Sequence, residues 1–232
     1  MNYSWVFFDV DNTLLDFKMA ARVAFEETMR AFDLPGGDAR HYLYKRINDA
    51  CWEAFERGRM QGEELRFERF RQFLDAIGSW RDPLEMNACY LERLAQQRHL
   101  VPGAREVLET LRERGVRLAV ITNGLKEVQR TRLARADLSG YFETIVVSDE
   151  IGCAKPQVAF FEEAFRRAGQ PARAEVLVVG DSLRSDIQGG RNYGLPTCWF
   201  NPTGHVPEPQ TIHPDFTIRR LMEVLDLVGV GA

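Results

Sequence analysis

An unbroken apolar run opens the chain. Val6, Phe7 and Phe8 are β-formers in a row, the pattern of a strand buried on both faces of a parallel sheet. The run ends in Asp9-Val10-Asp11-Asn12-Thr13, where Asp9 and Asp11, two apart on an extended chain, are expected on one face. After Leu15 the period becomes helical and stays so for roughly eighty residues. A first stripe of Ala21, Phe25, Met29 and Phe32 is stopped by Leu34-Pro35-Gly36-Gly37. A second, Tyr44, Ile47, Cys51 and Phe55, ends near Gly58, and a third, Phe67, Phe70, Leu74 and Ile77, ends at Gly78. The fourth helix has a written start, with Asp82 as N-cap, Pro83 at the first helical position and Glu85 closing a capping box ahead of Met86, Tyr90 and Leu94. Such a run, with no strand in it, predicts a helical-bundle cap inserted at residues 17–98.

From Pro102 the pattern alternates. A helix near Gly103 to Arg114 precedes an apolar strand from Val116 to Ile121 that runs into Thr122-Asn123-Gly124. A helix from Leu125 to about Ala136, a strand at Thr144 to Val147 and a polar loop lead to Lys155-Pro156, where Pro156 is expected to start the helix carrying Phe161, Phe165 and Ala168. The strand at Glu175 to Val179 ends in Gly180-Asp181-Ser182; a glycine-rich helix near Ile187 to Tyr193 and short strands at Thr197 to Phe200 and Phe216 to Ile218 follow. Leu221, Val224, Leu225 and Val228 give a last amphipathic helix. The fold class is therefore α/β, a Rossmann-like parallel sheet with helices on both faces, built from residues 1–16 and 99–232.

Composition narrows the setting. At 232 residues the chain buries enough apolar surface to fold without disulfides. Cys51, Cys89, Cys153 and Cys198 are far apart with no C-x-x-C spacing, which predicts reduced thiols in a cytoplasmic compartment. No basic segment followed by an apolar one opens the chain, and no apolar run approaches membrane-spanning length. A net charge of −4 gives no electrostatic reason to expect a nucleic-acid polymer or an anionic membrane as partner, which leaves small molecules and other proteins. His205 and His213, in a loop with four prolines, lack metal-ligand spacing and read as loop residues.

Ligands of open parallel sheets bind beyond the carboxyl ends of the strands. There the chain places Asp9 and Asp11, then Thr122 and Asn123, then Asp181 and Asp186, with Lys155 ahead of the helix between. Four carboxylates around one point call for a hard divalent cation, and Mg²⁺ combines one or two carboxylates with phosphate oxygens. Taken singly, each element also reads as ordinary structure: a strand-to-helix turn, a solvated lysine, an N-cap.

As an ordered set, Asp9-x-Asp11-x-Thr13, Ile121-Thr122-Asn123-Gly124, Lys155-Pro156 and Gly180-Asp181-Ser182-x-x-x-Asp186 resemble the four motifs of the haloacid-dehalogenase-like superfamily, and the helical insertion resembles its small cap. The resemblance implies Mg²⁺-dependent hydrolysis of a small-molecule phosphate ester. Asp9 would be the nucleophile and Asp11 the general acid and base; Thr122, Asn123 and Lys155 would hold the phosphoryl group. Asp9, Asp11 through its backbone carbonyl, Asp181 and Asp186 would serve the metal. A closer likeness is to bacterial pyrimidine nucleotidases. It rests on Trp5 to Asp9, Gly152 to Pro156, Val179 to Gly190 and Thr197 to Asn201, and implies a nucleoside monophosphate substrate; the sequence leaves monomer or homodimer open. It is weak in the cap, where Phe17, Lys18, Arg22, Asn48 and Trp52 are candidates for base or sugar contact, and Tyr193 stands where the family often has alanine. Asp11 argues against dehalogenation. A phosphatase of phosphoglycolate or a sugar phosphate, or a sugar-phosphate mutase of the same fold, remains open. A moving lid implies hinges near residues 16–18 and 100–103.

Overall fold

The structure, a computed structural model, describes residues 3–206 and 212–229. Two of the loop prolines, Pro207 and Pro209, lie outside the described residues. The chain divides into two compact units, Met1–Asp16 with Arg98–Ala232 and Phe17–Gln97.

The larger unit begins with β1 (Trp5–Phe8), whose side chains are all buried. The smaller unit follows as α1 (Phe17–Ala31), α2 (Asp38–Glu56), α3 (Gly62–Ile77) and α4 (Pro83–Gln96). The chain then re-enters the larger unit as α5 (Ala104–Glu113), β2 (Arg117–Thr122), α6 (Lys126–Arg135), β3 (Thr144–Val147), α7 (Ser148–Ile151), α8 (Val158–Arg167) and β4 (Val176–Gly180). A π-helical turn at Leu183–Ile187 leads into α9 (Gln188–Asn192), then β5 (Thr197–Phe200), β6 (Phe216–Ile218) and α10 (Val224–Leu227). Among the described residues no helix is long and apolar enough to cross a membrane.

Among the described residues all strand pairs are parallel, and the six strands stand in the order β3-β2-β1-β4-β5-β6. The unbroken apolar runs are explained by burial on both faces. Val6, Phe8, Leu118, Val120, Leu177 and Val179 pack on one side with Val107, Leu108 and Leu111 of α5 and Val224 of α10. Trp5, Phe7, Ala119, Ile121, Val176 and Val178 pack on the other with Phe160, Phe161, Ala164 and Phe165 of α8. Each such fully buried aliphatic or phenyl side chain contributes about 1.5–3 kcal/mol. Tyr193 joins the second cluster through edge contacts with Phe165, ring centroids 5.0 Å apart.

Several elements depart from the periodicity reading. The polar loop before Lys155 contains the single helical turn α7, and α8 starts at Val158 with Pro156 ahead of it, after a cis Lys155–Pro156 bond. β1 stops at Phe8, so Asp9 and Asp11 lie beyond the strand and its two-residue face rule does not govern them. The closing helix is one 3₁₀ turn at Leu221–Glu223 followed by the short α10.

In the smaller unit the Asp82 carboxylate accepts from the Leu84 and Glu85 N–H groups at 2.8 and 2.9 Å. Its core is aromatic, with Phe25 stacked on Tyr44 at 5.2 Å and Phe70, Phe73 and Tyr90 around them. α3 is rotated from the expected phase: Leu65, Arg69, Phe70, Phe73 and Leu74 are buried and Phe67 is exposed. The reason is Arg69. Its guanidinium is satisfied inside, with Nε 3.0 Å and Nη2 2.5 Å from Asn87 Oδ1 and Nη1 3.3 Å from Asn48 Oδ1, above the Phe70 and Tyr90 rings. Asn48 is thereby engaged within the unit, and Arg22 pairs with Glu26 and Asp38.

Candidate active site

The center of the site is the end of β1, the strand flanked by β2 and β4 at the point where the connections change direction. The backbone N–H of Asp9 donates to Val179 O of β4 at 2.9 Å, which continues the ladder by one residue and presents the side chain beyond the sheet edge. The chain then folds back on itself. Leu14 N and Leu15 N both donate to Val10 O at 2.9 Å, and Asn12 takes the left-handed conformation that asparagine tolerates, φ 61°. That turn aims the Thr13 hydroxyl at Asp9 Oδ2, 3.2 Å away.

Lys155 is buried and spends its ammonium group on three oxygens: Asp9 Oδ1 at 2.7 Å, Ile121 O at 2.7 Å and Asp186 Oδ1 at 2.6 Å. Burial works against its charge, but Asp186 and Asp9 outweigh that and raise its pKa, so the group stays an ammonium. Asn123 holds the Lys155 backbone at both ends of its amide, donating from Nδ2 to Lys155 O at 2.9 Å and accepting at Oδ1 from Lys155 N at 2.8 Å. The loop carrying the lysine is thus tied to the end of β2. The Gly124 N–H, one of the backbone donors next to Thr122, is 3.1 Å from Ser148 Oγ.

On the β4 side, Ser182 caps the following turn, its hydroxyl accepting from Ser185 N at 3.1 Å. Asp186 returns toward the strand end and accepts from Ser182 N at 3.0 Å. Gly180 makes this possible, since a Cβ there would lie 2.2 Å from Asp186 Oδ2. The Asp181 carbonyl accepts from the Trp199 indole of β5 at 2.8 Å.

Carboxylate oxygens of Asp9, Asp181 and Asp186 all lie within 4.8 Å of one another, a group able to hold a metal ion. Burial pushes the Asp9 carboxyl well above its usual range; Lys155 opposes that, and Asp186, Asp181 and Asp11 add to it. Three buried or half-buried oxygen donors with one shared ammonium leave a deficit of positive charge that fits a hard divalent cation.

Asp11 turns away from this trio. Its Oδ2 accepts from Gln129 Nε2 at 2.9 Å, and its Oδ1 from Arg132 Nη1, both on α6. Gln129 Nε2 also reaches Thr122 Oγ1 at 2.7 Å. Gln129 and Arg132 are almost completely buried and belong to none of the expected apolar stripes; Trp199 lies in the expected strand Thr197 to Phe200, from which its contact with the Asp181 carbonyl does not follow. The available signal was local: a glutamine and an arginine three apart lie on the same helix face as Val128 and Leu133, directly after the Thr122-Asn123-Gly124 turn.

Residues 3–194 match the haloacid dehalogenase-like hydrolase family. The chain belongs to the haloacid dehalogenase-like hydrolases. Within that family it is 33% identical to pyrimidine 5'-nucleotidase YjjG of Escherichia coli over 98% of this chain and 99% of the relative. It is 32% identical to pyrimidine 5'-nucleotidase PynA of Streptococcus pneumoniae over 97% and 95%. The crystal structure of the HAD-hydrolase YfnB of Bacillus subtilis bound to magnesium superposes with a TM-score of 0.91 at 33% identity, covering 99% of this chain and 100% of that one.

Proposed function

We propose that this hydrolase is a Mg²⁺-dependent phosphomonoesterase that removes the 5'-phosphate from nucleoside monophosphates, pyrimidine nucleotides foremost, through an aspartyl-phosphate on Asp9. The observation that carries the reading is the Asp9 carboxylate, which stands at the switch point of the sheet with Lys155 on one oxygen and Thr13 on the other.

In the first step an Asp9 oxygen forms a bond to phosphorus as the ester P–O bond breaks, and the departing alkoxide takes a proton from the Asp11 carboxyl, which turns from its Gln129 and Arg132 contacts to deliver it. In the second step water attacks the same phosphorus while the Asp11 carboxylate takes its proton; the Asp9–phosphorus bond breaks and inorganic phosphate leaves. Lys155 offsets the charge shared by Asp9 and the phosphoryl oxygens. The Thr122 hydroxyl donates to a phosphoryl oxygen, and Asn123 serves by fixing the Lys155 loop. Asp9, Asp181 and the Asp11 backbone carbonyl would hold Mg²⁺, with Asp186 bridging to Lys155, and the ion supplies the positive charge that lets an anionic ester approach an anionic nucleophile.

The substrate class is supported by the two nucleotidase relatives, which match along nearly the whole chain. On this reading the helical unit, residues 17–97, is the cap that selects base and sugar, and the enzyme works in the cytoplasm as a monomer or homodimer. The test is a hydrolysis screen over nucleoside monophosphates, sugar phosphates and phosphoglycolate, with Mg²⁺ and with chelator. Pyrimidine monophosphates should give the highest kcat/KM, and chelator should abolish it. Turnover restricted to sugar phosphates overturns the nucleotide reading, and label passing to a second sugar instead of water makes the enzyme a mutase.

A further inference from the structure

Two α6 side chains that belong to none of the motifs, Gln129 and Arg132, reach the carboxyl end of the sheet, and the direction of their hydrogen bonds is fixed by chemistry. A guanidinium only donates, so the Gln129 atom 3.2 Å from Arg132 Nη1 is the amide oxygen. The amide nitrogen at the other corner then has two hydrogens. One goes to Asp11 Oδ2 and the other to Thr122 Oγ1. Because Thr122 Oγ1 accepts this bond, its own hydrogen must point elsewhere.

We infer that Gln129 is a positioning residue that sets the polarity of the Thr122 hydroxyl, committing it to donate to the phosphoryl group, and that Arg132 locks Gln129 in the orientation this requires. The inference rests on the phosphatase reading for its ligand. A phosphoryl dianion offers acceptors only, so a hydroxyl facing it is useful as a donor and repulsive as a lone pair. A reversed amide would put its oxygen on Thr122, take the hydroxyl hydrogen and turn that lone pair toward the anion. The same amide also holds Asp11, so one side chain touches two groups assigned to the reaction.

Gly124 supports the assignment independently. A Cβ at this position would lie 2.6 Å from Gln129 Cγ and 2.9 Å from its Cδ and Nε2. The glycine of Thr122-Asn123-Gly124 therefore provides the space in which Gln129 lies. The turn motif and the helix behind it form one device.

The experiment measures binding of inorganic phosphate by calorimetry, and its inhibition constant against p-nitrophenyl phosphate, for wild type, Gln129→Glu, Thr122→Ala and the double variant. Gln129→Glu reverses the polarity at Thr122 and should weaken phosphate binding about tenfold, the scale of one hydrogen bond to a charged group. In the Thr122→Ala background the same change should add almost nothing. A full additional loss there would show simple repulsion by the new carboxylate and overturn the inference, as would unchanged binding in Gln129→Glu. Gly124→Ala, which displaces Gln129 without changing a polar group, should weaken phosphate binding in the same direction; it decides the matter if Gln129→Glu does not fold. A wild-type chain that neither binds phosphate nor hydrolyses the ester overturns the phosphatase reading itself. Normal wild-type behaviour with unaffected variants overturns only the role of Gln129.

Discussion

Each unit of the molecule buries an arginine, and the two are partnered in opposite ways. Arg132, fully buried in the α/β unit, meets the Asp11 carboxylate and the Gln129 amide oxygen. Arg69, 2% exposed in the helical unit, meets the neutral oxygens of Asn87 and Asn48 and the faces of Phe70 and Tyr90. Pairing a buried cation with a carboxylate fixes the position of an ionisable group that chemistry can use. Pairing it with amides and rings fixes only the helices that carry them. On the proposed mechanism, buried charge serves reaction in one unit and packing in the other.

The largest expected effect tests the reactive half of that contrast. Asp9→Asn should lower kcat by about 10⁴-fold or more while leaving Tm within a few degrees of wild type. Activity near wild type would remove Asp9 as nucleophile. In the helical unit the signs should reverse. Arg69→Met leaves the buried Asn87 and Asn48 oxygens without their donor and should cost about 2–3 kcal/mol in urea unfolding. Adding Asn48→Leu and Asn87→Leu should recover most of that loss, because replacing a whole buried polar group by apolar side chains is far cheaper than breaking it. If the single variant is as stable as wild type, Arg69 is not the node that orients α3.

Smaller effects sharpen the comparison. Trp199→Phe removes the indole donor to the Asp181 carbonyl and should raise the Mg²⁺ concentration for half-maximal activity about tenfold, measured by metal titration. An unchanged titration would reduce Trp199 to core packing. At the surface, charge should do little in either sense. Hydrogen bonds from Arg166 and Arg167 hold the Glu163 carboxyl down to about 2. Because its folded pKa lies below the unfolded value of 4.5, the group stabilises the fold above that value and loses its contribution as pH falls to about 2. Glu163→Gln should therefore cost under about 1 kcal/mol at pH 7, since such exposed pairs are screened, and nothing at pH 2.

The same physics explains which parts were readable in advance. Asp9, Thr122, Asp181 and Lys155 could be found because strand ends, and a Lys-Pro pair just ahead of a helix, mark where the sheet stops, and a parallel sheet places its ligand there. Gln129 and Arg132 could not, because polar residues on a helix are assigned to the solvated face unless something shows a buried partner, and α6 has no clean apolar stripe. Arg69 misled the phase of α3 for the same reason, and Phe67 took its place in the expected stripe. Asp11 was placed beside Asp9 by a strand rule that ended one residue too early.

The strand order has a consequence in time. β1 emerges first from the ribosome, yet its neighbours in the sheet, β2 and β4, start at Arg117 and Val176. All helices of the unit Phe17–Gln97 exist before either neighbour has been made. During synthesis the apolar Trp5–Phe8 segment therefore has no sheet neighbour until about 110 residues have followed it, and lacks the second until about 170 have, roughly ten to thirty seconds at ordinary elongation rates. Because it is central, Trp5–Phe8 is the first strand to be made and cannot be flanked on both sides until the fourth has followed.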